Sequence, residues 1–212
     1  MAEILALAGV NGAGKSSLLG SGILRAAGLD WFNPDDYTRL LVQQGRSLAE
    51  ANELAWHEGK NRLSRAIADS TGFAFETTLG GNTIPALLAK ACETQEVTIW
   101  YCGLSNVELH IQRVAERHAS GGHNIPEAKI RERYDTSRKN LLNLMAGLNQ
   151  LHVYDNSAPI VDCQADLMPI LEMGRDGIHF PTTVEDLAKT PDWAKPIVAR
   201  ALELYPTPGL AP

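Results

Sequence analysis

The sequence predicts an α/β fold, a parallel sheet of about five to six strands with helices on both faces. Two observations predict it. Short apolar runs alternate with longer segments of helical period, and the first apolar run ends in a glycine-rich turn that opens a helix. The expected strands cover residues 4–8, 30–33, 72–76, 97–102, 152–155 and 160–163. Helices are expected between them, most clearly over 15–27, 47–69, 83–93, 105–119 and 126–145. Pro126 suits a helix start, where its missing N–H would be unpaired in any case.

A length of 212 residues fits one α/β domain, expected over 1–205, with a poorly ordered Pro/Gly-rich tail at 206–212. Apolar residues at 44% and charged residues at 21% match a globular chain rather than a disordered or fibrous one. The net charge of -6 argues against broad nucleic-acid binding, which needs a basic face. The chain opens on Met-Ala-Glu and runs straight into an apolar segment, so neither a secretion leader nor an upstream inhibitory domain is expected. No apolar stretch approaches the ~20 residues of a membrane span. Cys92, Cys102 and Cys163 are widely spaced, without metal-ligand spacing, which suits a reducing, cytoplasmic setting.

After the first strand, Gly9, Gly14, Lys15 and Ser16 satisfy G-x-x-x-x-G-K-[ST], the phosphate loop of P-loop nucleotidases. Gly12 and Gly14 let the backbone approach phosphates, and successive N–H groups with the helix N-terminus supply donors. The nucleotide-binding set is Gly9, Asn11, Gly12, Ala13, Gly14, Lys15, Ser16 and Ser17. Lys15 is placed to reach the β- and γ-phosphates, and the Ser16 hydroxyl to ligate Mg²⁺. No N-K-x-D base-reading signature occurs, and the SGGHN stretch at 120–124 does not match the L-S-G-G-Q of transport ATPases. A small ATP-dependent kinase, a phosphotransferase with an alcohol acceptor, is the expected class.

Ligands of open parallel sheets lie beyond the carboxyl ends of the strands. After the second strand stands Asn33-Pro34-Asp35-Asp36. Asp35 there suits a general base, although the same residues also make a good helix N-terminus. The third strand ends abruptly in Glu76-Thr77-Thr78. Glu76 suits Mg²⁺ or substrate and Thr78 a phosphate or sugar oxygen, the plainer reading being a solvated strand end.

On the helix over 105–119, Val107, Ile111 and Val114 form an apolar stripe while Arg113 and Arg117 share another face. Gly121, Gly122 and His123 follow, and the next helix carries Arg131, Arg133 and Arg138 beside Ile130, Tyr134 and Leu141. Such a unit can close as a lid that sets arginines against the transferring phosphoryl group. Glu116, Glu127, Glu132 and Asp135 offer the alternative of ordinary surface ion pairs.

In combination these motifs resemble the zeta toxin family, in its compact chromosomal P-loop kinase members. The resemblance spans roughly residues 4–157 and closes on Tyr154-Asp155-Asn156-Ser157. It implies phosphorylation of a sugar hydroxyl of UDP-N-acetylglucosamine, using ATP and Mg²⁺, and admits an antitoxin protein as partner. It further implies that Lys15 and Ser16 hold nucleotide and metal, that Asp35 is the base, and that Glu76 and Thr78 contact the sugar or the metal. Arg113 resembles the first of two phosphate-gripping arginines. His123 stands where the second is found, leaving Arg117, Arg131 or Arg133 for that work. A substrate-binding glutamate of the family falls near Lys60, with Glu58 half a turn away. Another nucleotide sugar, a nucleoside or a cofactor hydroxyl is the alternative acceptor, and a nucleotide-binding module without turnover the alternative class.

Overall fold

In a computed structural model, the structure describes residues 2–15, 31–120, 125–159 and 167–206. The apolar run at the start forms β1 (Glu3–Ala8), an interior strand of a sheet that has seven strands among the described residues. It is flanked by β3 (Phe73–Thr77) and β4 (Glu96–Gly103), with β2 (Trp31–Phe32) beyond β3 and β5 (Gln150–Asp155) beyond β4. All four of these pairings are parallel. A parallel sheet covered on both sides needs strands that are apolar at successive positions. Ile4 through Ala8 meet that need, each no more than 5% exposed.

The even-numbered side chains Ile4, Ala6 and Ala8 enter one large core. The described helices that complete that core are α2 (Leu48–Asp69), α3 (Thr83–Ala91), α5 (Glu127–Leu144) and α7 (Lys195–Leu204). Leu5 and Leu7 point to the opposite face, among Trp31, Trp100 and Tyr154. The helix expected over 15–27 lies, apart from Lys15, outside the described residues, as does the strand expected over 160–163. The tail expected at 206–212 also lies there, apart from residue 206.

Two of the described helices precede β3. Asn33 caps α1 (Pro34–Gln43) by accepting a hydrogen bond from the Asp35 N–H, and Pro34 fills the first turn, where no N–H is needed. Ser47 and Glu50 then form a reciprocal capping box that starts α2. The helices carrying arginines, α4 (Val107–Ala119) and α5, match the expected positions. Val107 and Ile111 pack with Val114 in one apolar cluster as expected, and His110 is buried on the same helix.

Beyond the five parallel strands, β6 (Met168–Gly174) and β7 (Gly177–Phe180) add an antiparallel hairpin at the β5 edge. The sequence reading did not foresee it. Asp176-Gly177 at its turn is a hairpin signal between alternating apolar residues. The short α6 (Val184–Ala188) follows, then Trp193 and α7 return to the core. No helix among the described residues is long and apolar enough to cross a membrane.

Candidate active site

The turn after β1 has the backbone of a phosphate loop. Gly9, Gly12 and Gly14 all adopt positive φ, at 137°, 83° and 83°. A Cβ on Gly9 would collide with the Cys102 carbonyl, and one on Gly12 would come within 2.7 Å of the His110 carbonyl oxygen. Only glycine fits these positions.

Three neighbours hold the loop from outside. Asn156 donates through Nδ2 to the Ala13 carbonyl at 2.9 Å, and the Cys102 thiol donates to the same oxygen at 3.1 Å. His110 Nδ1 lies 2.9 Å from the Asn11 carbonyl and donates to it. Burial drives the His110 pKa down to about 4, so its ring is neutral near pH 7, and burial pushes the Cys102 thiol up to about 12. Neither group is poised for chemistry. They are fixed, uncharged supports. Behind them, Asp155 accepts from the Trp193 indole N–H and from Ser157, whose hydroxyl in turn accepts from the Ser105 N–H at 2.7 Å.

Lys15 is 5% exposed. Its ammonium donates to the Val10 carbonyl at 3.3 Å and lies 3.4 Å from Glu76 Oε1. Glu76 closes β3, and that strand pairs directly with β1, so register alone brings Leu7 opposite Glu76 and carries the acid to the loop. Beyond it, Leu79 adopts φ 55° and the turn is clasped by α5. Thr136 donates to the Gly80 carbonyl at 2.9 Å, and Asn140 to the carbonyls of Leu79 and Gly81 at 2.8 and 2.9 Å.

A cavity of about 550 Å³ opens over these groups. Lys15, Asp35, Glu76 and Thr78 all line it, as do Asn11 and Arg133. Arg133 reaches back from α5 and donates to the Asn11 side chain at 2.7 Å. Arg117 does not line the cavity but places Nη1 3.4 Å from Asp35 Oδ2. Arg113 runs beside Gly12, donates to the Ala158 carbonyl at 3.1 Å, and keeps Nη1 buried without a hydrogen-bond partner among the described residues.

The other expected site residues fall elsewhere. Glu58 points away from the cavity into an ion pair with Arg62 at 2.7 Å, and Lys60 takes the place on the wall. Arg131 pairs with Glu127 and Glu108, and Arg138 with Asp135, which is the surface ion-pair alternative. Ser16, Ser17 and His123 lie outside the described residues. Among the described residues, no three His, Cys, Asp or Glu side chains gather in a group suited to a metal. The loop supports His110 and Asn156 were missed as such, because a backbone carbonyl acceptor leaves no mark in sequence.

The fold is that of the zeta-toxin-like P-loop kinases. A chain of the AvrRxo1-ORF1:AvrRxo1-ORF2 complex with sulphate ions aligns with a TM-score of 0.63 at 13% identity, covering 100% of this chain and 66% of that one. The same complex with ATP gives a TM-score of 0.60 at 14% identity over the same shares. This chain thus spans about two thirds of that protein. A chain of the PezAT chromosomal toxin–antitoxin system of Streptococcus pneumoniae gives a TM-score of 0.55 at 15% identity, over 96% of this chain and 78% of that one. No protein-family model matches. An uncharacterized protein of Haemophilus influenzae (strain Rd) is 32% identical over 127 residues, 59% of this chain and 88% of that protein. The chain belongs to the family of that Haemophilus protein.

Proposed function

We propose that this protein is an ATP-dependent kinase that moves the γ-phosphoryl group onto a hydroxyl of a small acceptor, with UDP-N-acetylglucosamine the first candidate. One observation carries the proposal: Lys15 on the phosphate loop and Asp35 at the end of β2 line the same cavity of about 550 Å³. That size suits a small ligand bound beside a nucleotide's phosphates. The ATP complex of AvrRxo1 and the toxin–antitoxin context of PezAT support a nucleotide-dependent kinase with a protein partner of the antitoxin kind.

In this reading the loop amides and Lys15 hold the β- and γ-phosphates. Asp35 accepts the proton of the acceptor hydroxyl as its oxygen bonds to the γ-phosphorus. The bond from that phosphorus to the bridging oxygen breaks, and ADP leaves. Arg117, beside Asp35, and Arg113, whose Nη1 meets no partner among the described residues, neutralise charge on the transferring group. Arg133 borders the nucleotide through Asn11, and Thr78 faces the acceptor. Mg²⁺, when bound, screens the triphosphate charge, and Ser16 and Glu76 are the residues proposed to hold it. The working unit is one domain over 1–205.

The position of Lys60 favours a second acceptor reading, in which another nucleotide sugar, a nucleoside or a cofactor hydroxyl is phosphorylated. Mass spectrometry of purified protein with MgATP and UDP-N-acetylglucosamine tests the first. A singly phosphorylated sugar nucleotide is expected, and Lys15→Ala should abolish it. ATP consumption with other acceptors alone would replace the substrate and keep the kinase.

A further inference from the structure

The cavity wall formed by α2 carries a charge whose purpose the transfer step does not explain. Among the described residues, four cationic side chains line the cavity: Lys15, Lys60, Lys129 and Arg133. Lys15 meets Glu76, Lys129 meets Glu132 at 2.8 Å, and Arg133 is engaged by Asn11. Lys60 has no carboxylate partner among the described residues. The acid nearest in sequence, Glu58, is tied to Arg62, and Glu53 faces His57. What Lys60 does have is Trp56, one helical turn earlier, with the ammonium 5.6 Å from the ring centroid.

The surroundings decide what this arrangement can bind. Ala55, Gly59 and Phe32 form an apolar floor at this end, and a Cβ on Gly59 would come within 2.8 Å of the Phe32 ring. Trp56 is 46% exposed although it also lines the cavity. A half-buried ammonium over an apolar floor, without a carboxylate of its own, gains most from an anion brought by the ligand. We infer that Lys60, steadied by Trp56, selects acceptors that carry an anionic group, a phosphate or a carboxylate, remote from the hydroxyl that reacts. Lys60 is then a specificity-determining residue and Trp56 a positioning residue. The inference rests on the kinase reading for the word acceptor, but the binding preference exists without turnover.

The test uses the full chain with a non-hydrolysable ATP analogue and titration calorimetry of matched pairs. These are uridine monophosphate against uridine, UDP-N-acetylglucosamine against N-acetylglucosamine, and gluconate against glucose. The first two pairs present phosphate and the third carboxylate. At least one anion should bind about fivefold or more tightly than its neutral partner, the worth of one exposed charge pair. Lys60→Gln should cut that ratio to about twofold or less, and Lys60→Glu should invert it. Trp56→Leu should lower the ratio by weakening the anion more than its neutral partner, which loss of packing alone would not do. The analogue's affinity, measured first, reports folding of each variant. Failure of the analogue to bind would sink the kinase reading, while the pairs, titrated without it, still test Lys60. The inference is overturned if no anion binds better than its partner, or if Lys60→Gln leaves the preference intact.

Discussion

The Lys15 ammonium lies 3.4 Å from the Glu76 carboxylate, with side-chain exposures of only 5% and 11%. Removing one member of a buried pair leaves the other charge uncompensated, at a cost of about 3 kcal/mol. Phosphate oxygens brought by a nucleotide would offer Lys15 a replacement partner. Glu76→Gln should therefore lower the melting temperature of the free protein markedly, and the gap from the wild type should narrow when ATP is added in the presence of EDTA. Thermal unfolding with and without ATP checks this. An unchanged gap would mean that the nucleotide does not reach Lys15.

Gly9 at φ 137° packs against the Cys102 backbone, while a Cβ on Gly81 would meet nothing within 4 Å. Gly9→Ala should cost about 2 kcal/mol or more in denaturant unfolding, from backbone strain and a clash with main chain that cannot retreat. Gly81→Ala should stay within about 0.5 kcal/mol of the wild type. Equal effects would contradict the loop geometry.

His110 gives the protein a predictable acid sensitivity. Its folded pKa of about 4 lies below the ordinary 6.5, so the unfolded chain binds the extra proton between those values. The neutral ring's contribution is fully present above about pH 6.5 and is lost progressively as pH falls toward 4. The total is on the order of 3 kcal/mol. Denaturant titrations at pH 7.5 and 5 should show this fall, and His110→Gln should flatten it. The same slope in the variant would remove His110 as its source.

Asn156 is fully buried and donates to the Ala13 carbonyl, and its own Oδ1 meets no partner among the described residues. Asn156→Ala withdraws that donor from a buried carbonyl and should cost about 1–3 kcal/mol of stability. Because the bond lands on the phosphate loop, ATP affinity should fall as well. Calorimetric titration of ATP reads the second effect, and unaltered affinity would show the loop to be held without it.

Much of this was legible in sequence, for reasons visible in particular residues. Ile4 through Ala8 announce a central strand because both faces of a parallel strand are buried, and Gly9, Gly12 and Gly14 announce a loop that only glycine can trace. Asp35 and Glu76 could be singled out as candidates because ligands gather beyond strand ends, and both line the Lys15 cavity. Glu58 and Lys60 could not be told apart in this way, since two positions along a helix turn through about 200°, so the two point to nearly opposite sides and only packing decides which faces inward. The hairpin of β6 and β7 escaped because Met168–Gly174 lies near the sheet edge and mixes Glu172 with apolar residues. The bonds from His110 and Asn156 end on carbonyl oxygens, which carry no sequence signature.

Whether Asp35 is the base is read from phosphoryl transfer by Asp35→Asn, measured beside its ATP affinity. The amide keeps the shape of the side chain and loses the proton acceptor. If Asp35 is the base, ATP binding should stay within about threefold of the wild type, with transfer to the hydroxyl acceptor reduced by about 10² or more. Transfer at the wild-type rate would contradict it.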